Sequence, residues 1–366
     1  MRFPDFNDEW TQTTLGEISR NISSGKDKLS EKGNYHLYGS RGLLGHTETK
    51  SYTSNIILVA RVGANAGEVI WVSEPCGVTD NALIIEQDND SYLKANSRFI
   101  FMRLLSAELN KLSFGSGQPL ITASMLKAYT LALPSLAEQK RIADFLSLID
   151  ERIESCSETI KEIKTLKAGL LSLRVYQADK QYVPLSYFGE MKHGYPFKST
   201  SYDEDGTHRI VTISNVSGAR YADMSKCNYL AELPHDIQQH QILSRNDILI
   251  SLTGNVGRVS FCLADGDLLN QRVGVLSLCD EAYKEYIYQV LSDWRFEMSM
   301  VACGQGAAQL NISKSNVEGY LVPYEQSEYQ EIGNFFSLLD DRIEIEEELL
   351  KQYEMQKKYL LRQMFI

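Results

Sequence analysis

The chain has 366 residues, 43% hydrophobic and 23% charged, a soluble globular balance in a length that suits two domains better than one. A net charge of −11 counts against nucleic-acid binding driven by bulk electrostatics, and residues 1–134, with about 13 basic and 14 acidic side chains, are close to neutral. No window holds the roughly 18 consecutive apolar residues of a membrane span, and the opening MRFPDFNDEW lacks a basic-then-apolar signal pattern. Six scattered cysteines (Cys76, Cys156, Cys227, Cys262, Cys279, Cys303) without a CxxC pair argue against a disulfide framework or a zinc site. Their plainest reading is as small buried residues of a cytoplasmic protein.

In chain order, the first apolar run is Ile56–Ala60, followed by Gly63 and Gly67 and then Val69–Val72, which predicts a strand hairpin. A segment Val78–Ile85 comes next, then the glycine loop Gly115-Ser116-Gly117-Gln118-Pro119, then a Leu133-Pro134 step. A proline there biases its predecessor to extended backbone and divides one element from the next. A long helix follows, with apolar residues at 142, 146, 149, 153, 156, 160, 163, 166, 170 and 173. That is a 3-4 alternation with a 3-3 slip at 160–163–166.

The order then repeats. Ile248–Leu252 precedes Gly254 and Gly257, Val259–Cys262 is the partner strand, and Leu269–Leu276 corresponds to the 78–85 segment. Gly304-Gln305-Gly306-Ala307 and Val322-Pro323 match the first glycine loop and proline step. The second helix carries Ile332, Phe336, Leu339, Ile343, Leu350, Tyr353, Leu360 and Met364 on one stripe, interrupted at Glu346 and Gln356. The clearest echo is Leu148-Ile149-Asp150-Glu151-Arg152-Ile153-Glu154 against Leu338-Leu339-Asp340-Asp341-Arg342-Ile343-Glu344, 190 positions apart. A long-period repeat means two similar domains, each closed by a similar helix. Such helices either pack on their own domains or pair with one another, and narrow seams this long favour an antiparallel pair. Boundaries follow at 1–134, 135–176, 177–323 and 324–366. The second unit holds about 20 extra residues between roughly 190 and 247.

The sequence has no GxxxxGK[ST], HExxH, G-x-S-x-G or GxGxxG, and no Pro-Pro pair that an adenine methyltransferase motif would need. The glycines at 63/67 and 254/257 are hairpin turns, or loops that let backbone approach a phosphate or base edge. Polar clusters recur beside them. In the first unit these are Ser24, Lys26, Tyr38, Ser40, Arg41, Arg61, Asn65 and Gln118. In the second they are His193, Tyr195, Lys198, Asn215, Arg220, Thr253, Asn255, Arg258 and Arg272. Ser, Thr, Lys and loop N–H groups suit phosphates, whereas Arg, Asn and Gln suit base edges. Glu68 stands opposite Arg258 in the alignment, and Asp80-Asn81 opposite Gln271-Arg272, so two domains of one plan would read different ligands.

These residues resemble the specificity subunits of type I restriction–modification enzymes. The resemblance is carried by Arg2-Phe3-Pro4 with Trp10 and Leu15-Gly16-Glu17-Ile18, by Tyr38-Gly39-Ser40 and Gly115–Pro119 with Ile121, and by Leu133-Pro134 through Glu138-Gln139. Ile142-Ala143-Phe145-Leu146 with Asp150-Arg152-Ile153, and the terminus Leu360–Ile366, carry it further. Tyr329-Gln330 departs from the usual Glu-Gln, and Gly304–Ala307 is a looser glycine loop.

The resemblance implies an α/β (α+β) chain in which two target-recognition domains with twisted, mostly antiparallel sheets are separated by two long antiparallel coiled-coil helices. Each domain would read one half of a bipartite double-stranded DNA target in the major groove, with about one turn between half-site centres. Two modification subunits, supplying S-adenosylmethionine and adenine methylation, would dock on the helices and domain backs. Restriction subunits would add ATP- and Mg-dependent translocation and cleavage. This chain would bind no cofactor or metal and catalyse nothing. The seam residues Ile142, Leu146, Ile149, Ile153, Ile160, Ile163, Leu170, Phe336, Leu339, Ile343, Leu350, Tyr353 and Leu360 would build the coiled coil and its docking surface. A stand-alone DNA-modifying enzyme and a coiled-coil adaptor with no DNA role are the competing expectations.

Overall fold

The structure, a computed structural model, describes residues 2–53, 55–86, 95–114, 119–177, 180–304 and 310–365. It divides into unit 1, Met1–Ser157 with Glu348–Ile366, and unit 2, Glu158–Glu347. In unit 1 the order is β1 (Thr11–Thr14), β2 (Asn21–Ser24), β3 (Tyr35–Gly39), β4 (Gly42–Thr47), β5 (Ile56–Ala60), β6 (Val69–Val72), β7 (Cys76–Val78), β8 (Ala82–Glu86), α1 (Ser97–Ser106), α2 (Ala123–Lys127), β9 (Thr130–Leu133) and the start of α3 (Leu136–Arg174). Strands β2-β8-β5-β6 form an antiparallel sheet. In a second sheet, β4-β3-β7, β3 runs parallel to β7, and β1 pairs with β9.

Unit 2 repeats this plan. It holds β10 (Gln181–Pro184), β11 (Gly189–His193), β12 (His208–Val211), β13 (Asn228–Leu230), β14 (Ile248–Ser251), β15 (Val259–Phe261), β16 (Leu268–Leu269), β17 (Val273–Leu278), α4 (Lys284–Leu291), α5 (Trp294–Cys303), α6 (Lys314–Glu318), β18 (Leu321–Tyr324) and most of α7 (Tyr329–Met364). The sheets are β11-β17-β14-β15, β13-β12-β16 with β12 parallel to β16, and β10-β18. Strand for strand, the order matches unit 1. Even the caps correspond: Thr122 accepts from Met125 N at the start of α2, and Ser313 accepts from Asn316 N at the start of α6.

The apolar runs have no alternation because both faces of the central strands are covered. On β5, Ile57 and Val59 join the core that contains α1 and α3, whereas Ile56 and Leu58 join a second core with Cys76 and Val78 of β7. On β14, Ile248 and Ile250 face the helical core and Leu249 faces Val211, Val216 and Leu243. The segments 78–85 and 269–276 are each broken by a turn, at Thr79–Asn81 and Asn270–Arg272, so that one strand enters each sheet. Most of the extra length of unit 2 falls in two places: residues 212–227 stand where unit 1 has the two-residue turn Ser40-Arg41, and residues 231–247 join β13 to β14. Of the cysteines, Cys76, Cys156 and Cys262 are buried, but Cys279 and Cys303 are exposed, so the small-buried reading fails for these two.

Within each unit the long helices run antiparallel. In unit 1, Ile142, Leu146 and Ile149 share a core with Leu360, Leu361 and Met364, and Lys357 meets Asp150 at 2.5 Å. In unit 2, Leu171 and Val175 share a core with Ile332 and Phe336, and Lys167 meets Asp340 at 2.5 Å. The thirteen seam residues are all buried or half-buried. The expected 3-3 slip is absent, however. Leu166 is 53% exposed, and the row runs through Lys167 instead, restoring a regular 3-4 alternation with a lysine in a core position. In α7 the row runs through Lys357 and not Gln356, and Glu346 is buried in it. Apolarity alone mis-phases such a seam, because ion-paired residues can occupy it.

Candidate nucleic-acid interface

Register decides which loops meet. In unit 1, Ser24 pairs with Leu83, Ala60 with Ala82 and Val59 with Val69. The ends of β2 and β5 therefore share one edge with the starts of β8 and β6. Thr79 N donates to Tyr38 O at 2.9 Å, and Asp27 N donates to Val78 O at 2.9 Å, which brings the end of the three-stranded sheet to the same place. Ser24, Lys26, Ser40, Arg41, Arg61 and Asn65 are thereby gathered. Arg61 knits two of these turns: its N–H donates to Asn81 O at 3.0 Å and its Nη1 to Asp80 O at 3.3 Å.

Unit 2 repeats the edge. Tyr195 N donates to Leu269 O at 2.7 Å, Gln271 N to Tyr195 O at 2.9 Å, and Leu252 N to Arg272 O at 2.9 Å. His193, Tyr195, Thr253, Asn255 and Arg272 converge there, together with the Thr212–Asn215 turn that follows β12. Arg258 immediately precedes β15 at this end, 3.5 Å from Glu297. Close backbone approach explains a glycine in each unit. A Cβ on Gly25 would stand 2.0 Å from Val78 O, and one on Gly194 would stand 2.3 Å from Asn270 O.

The gathered side chains differ in what they are free to do. Lys26, Arg41, Lys198 and Arg272 are exposed, and among the described residues none has a carboxylate partner. Tyr38 donates to Glu74 Oε1 at 2.7 Å; burial, then this bond, pushes its phenol up, and the bonds from Tyr38 and His36 hold Glu74 below the usual carboxylate range. Tyr195 donates to Asp236 at 2.8 Å. Asn215 is buried, donating to Asp223 O and Lys226 O and accepting from Thr212, so it frames its loop. Arg220 is elsewhere: its carbonyl accepts from Phe261 N at the opposite end of β15, and its guanidinium is held by Asp340 and Glu285. Gln118 lies outside the described residues. The sequence reading missed the polar seam pairs and the Arg220 partners. A lysine at a heptad core position, read together with the aspartate of the repeated motif, was the available signal.

The model of the type I restriction modification DNA specificity domain matches residues 7–165 and again 178–355, one match to each repeat. The chain belongs to that family. The specificity subunit of the type I restriction enzyme MjaVIII from Methanocaldococcus jannaschii is 24% identical over 337 residues, covering 84% of this chain and 77% of that protein. The EcoprrI specificity subunit of Escherichia coli is 25% identical over 177 residues, 46% of this chain and 42% of that protein. Among solved structures, the S subunit of a type I restriction–modification system from M. genitalium superposes with a TM-score of 0.70 at 20% identity, covering 100% of this chain and 97% of that one. A chain from a study of complex assembly and conformational transition in a type I system gives 0.53 at 14% identity, covering 98% of each. These two likenesses establish a shared fold. DNA target recognition is the family's role, and that role is non-catalytic. Among the described residues, no helix is long and apolar enough to cross a membrane, and no cluster of three or more His, Cys, Asp or Glu could hold a metal ion.

Proposed function

We propose that the chain reads a bipartite double-stranded DNA target, one half-site per unit, through the loop-bearing sheet ends described above. The observation that carries this reading is the same loop edge, built twice on one topology, with different side chains on it: Glu68 against Arg258, and the Ser40-Arg41 turn against a sixteen-residue loop at 212–227. Shared scaffold with divergent loops suits two readers of unlike sequences. Lys26, Arg41, Lys198 and Arg272 fit phosphate or base contact, and Ser24, Ser40, Arg61, Asn65, His193, Thr253, Asn255 and Arg258 complete the two surfaces. Recognition segments at 1–134 and 177–323, with helical segments at 135–176 and 324–366, fit this division of labour. The helices offer apolar side chains to water, among them Leu148 and Leu338 at equivalent repeat positions, which supports docking of two modification subunits. Those subunits would carry S-adenosylmethionine, restriction subunits would carry ATP and Mg, and the assembly would work in the cytoplasm.

The test is genome-wide adenine-methylation mapping with and without this chain, followed by exchange of residues 1–134 for the same segment of another family member. One half of the methylated motif should change and the other should stay. Methylation independent of this chain would favour an adaptor without a DNA role, and S-adenosylmethionine binding by the isolated chain would favour a stand-alone enzyme.

A further inference from the structure

Unit 2 contains a junction without a counterpart among the described residues of unit 1. Arg220 lies in the 212–227 loop. Its Nη1 donates to Asp340 Oδ2 at 2.9 Å, and its Nη2 donates to Glu285 Oε1 at 3.0 Å and Ser337 Oγ at 3.1 Å. The guanidinium carbon stands 5.3 Å from the Phe261 ring centroid and 5.4 Å from that of Tyr288. Asp340 also accepts from Lys167 of α3 at 2.5 Å and from Gln289 of α4 at 2.7 Å. One mostly buried carboxylate on α7 thus collects the loop, α3 and α4. In unit 1 the corresponding aspartate, Asp150, meets Lys357, and among the described residues no arginine reaches it.

The geometry needs arginine. A planar fork reaches two carboxylates and a hydroxyl in fixed directions while its flat face lies near aromatic rings, a geometry that the point-charge ammonium of lysine matches less closely. Buried charges that must all be partnered admit few arrangements, so they can fix a register even where they add little stability. The same loop carries Thr212–Asn215 to the proposed DNA-facing edge, while Arg220 is fastened to the helices. A cleft of about 500 Å³, lined by Gly218–Tyr221, Lys164, Lys167, Asp340 and Trp294 among others, borders the junction, so on that side the loop is not closely packed against the helices.

We propose that Arg220 is a positioning residue, seating the 212–227 loop on the helices of its own unit and thereby setting the gap at which the second half of the target is accepted. This rests on the reading of the chain as a bipartite DNA reader. The experiment uses the chain assembled with its modification subunits and measures adenine methylation of duplexes whose two half-sites are separated by the native gap or by one base pair more or fewer. Wild type, R220Q, R220K and E285Q are compared.

R220Q is expected to lower methylation at the native gap by about tenfold and to narrow the preference over neighbouring gaps, with both half-site sequences unchanged. R220K and E285Q should move the gap preference in the same direction by less. Native gap preference in R220Q overturns the proposal, as does a changed base preference in the second half-site at an unchanged gap, since Arg220 would then be a base reader. If R220Q does not fold, native gap preference in both R220K and E285Q overturns it. A wild-type complex that methylates no bipartite motif defeats the DNA reading itself, a result distinct from a motif kept with an indifferent Arg220.

Discussion

Lys167 lies 2.5 Å from Asp340, with both side chains largely withdrawn from water. The pair Lys357–Asp150, also at 2.5 Å, is its counterpart in the other unit, each residue displaced by the 190-residue repeat. When two similar helices pair antiparallel, every contact i–j is mirrored by j–i, as at an isologous interface. Burial depresses the Lys167 ammonium, and the Asp340 carboxylate opposes that shift.

The two pairs should not be equally important. D340N leaves Lys167 and Arg220 facing a neutral amide, and a cost of about 3 kcal/mol is expected for such a broken buried cluster. D150N, where Asp150 meets a single lysine in a wetter setting, should cost about 1 kcal/mol. Hydrogen exchange of α7 amides within each unit measures both, and equal losses would contradict the difference.

Two turn glycines in unit 1 separate backbone strain from collision. Gly63 has φ +81° with nothing within 4 Å of a built Cβ, so G63A should cost only the left-handed penalty of about 1–2 kcal/mol. Gly67 has φ +96°, and its Cβ would stand 2.4 Å from Asn110 N, so G67A must also displace backbone. Thermal unfolding should place G67A well below G63A, and similar midpoints would count against this account.

Burial raises the Asp267 carboxyl above its ordinary range, and Arg209 at 2.8 Å works against the rise. Folded Asp267 therefore keeps its proton to a higher pH than the unfolded chain does. Its contribution is most favourable in acid and is lost as pH rises through the folded value. R209Q should raise that value further and destabilise unit 2 more at pH 7 than at about pH 4. Carboxyl NMR titration reads the shift, and an unchanged or lowered Asp267 value would refute it.

The exposed cations at the loop edges give a salt-dependence prediction. K26E and R272E should each weaken DNA binding by the assembled complex and reduce the slope of log affinity against log salt by about 1. Motif choice should survive a lost phosphate contact, whereas a changed base at one half-site would mark a base contact. No effect of either reversal at any salt concentration would remove these residues from the interface.

Much of this was legible in the chain itself. The strands β5, β6, β14 and β15 lie where the apolar runs and glycines put them, because a run buried on both faces leaves a continuous signature. The helices were legible from a seam of period 3.5. The phase between 163 and 170 was not, because Lys167 is a core residue only by virtue of Asp340 on another helix. The loop residues were legible as types, but their grouping was not. Ser24, Arg41 and Arg61 are far apart in sequence, and only strand register brings them to one edge.

The sequence by itself determined that there are two units of one plan, that each ends in a long helix, and that the catalytic motifs sought are missing. These follow from local patterns: repeats, periodicity and motif spacing. Tertiary structure alone decided that Asn215 frames a loop while Lys26 and Arg41 face water, and that Arg220 turns from the loop edge to Asp340. An arginine in sequence carries the same charge in either setting. Whether it meets solvent or a buried carboxylate depends on a residue 120 positions away.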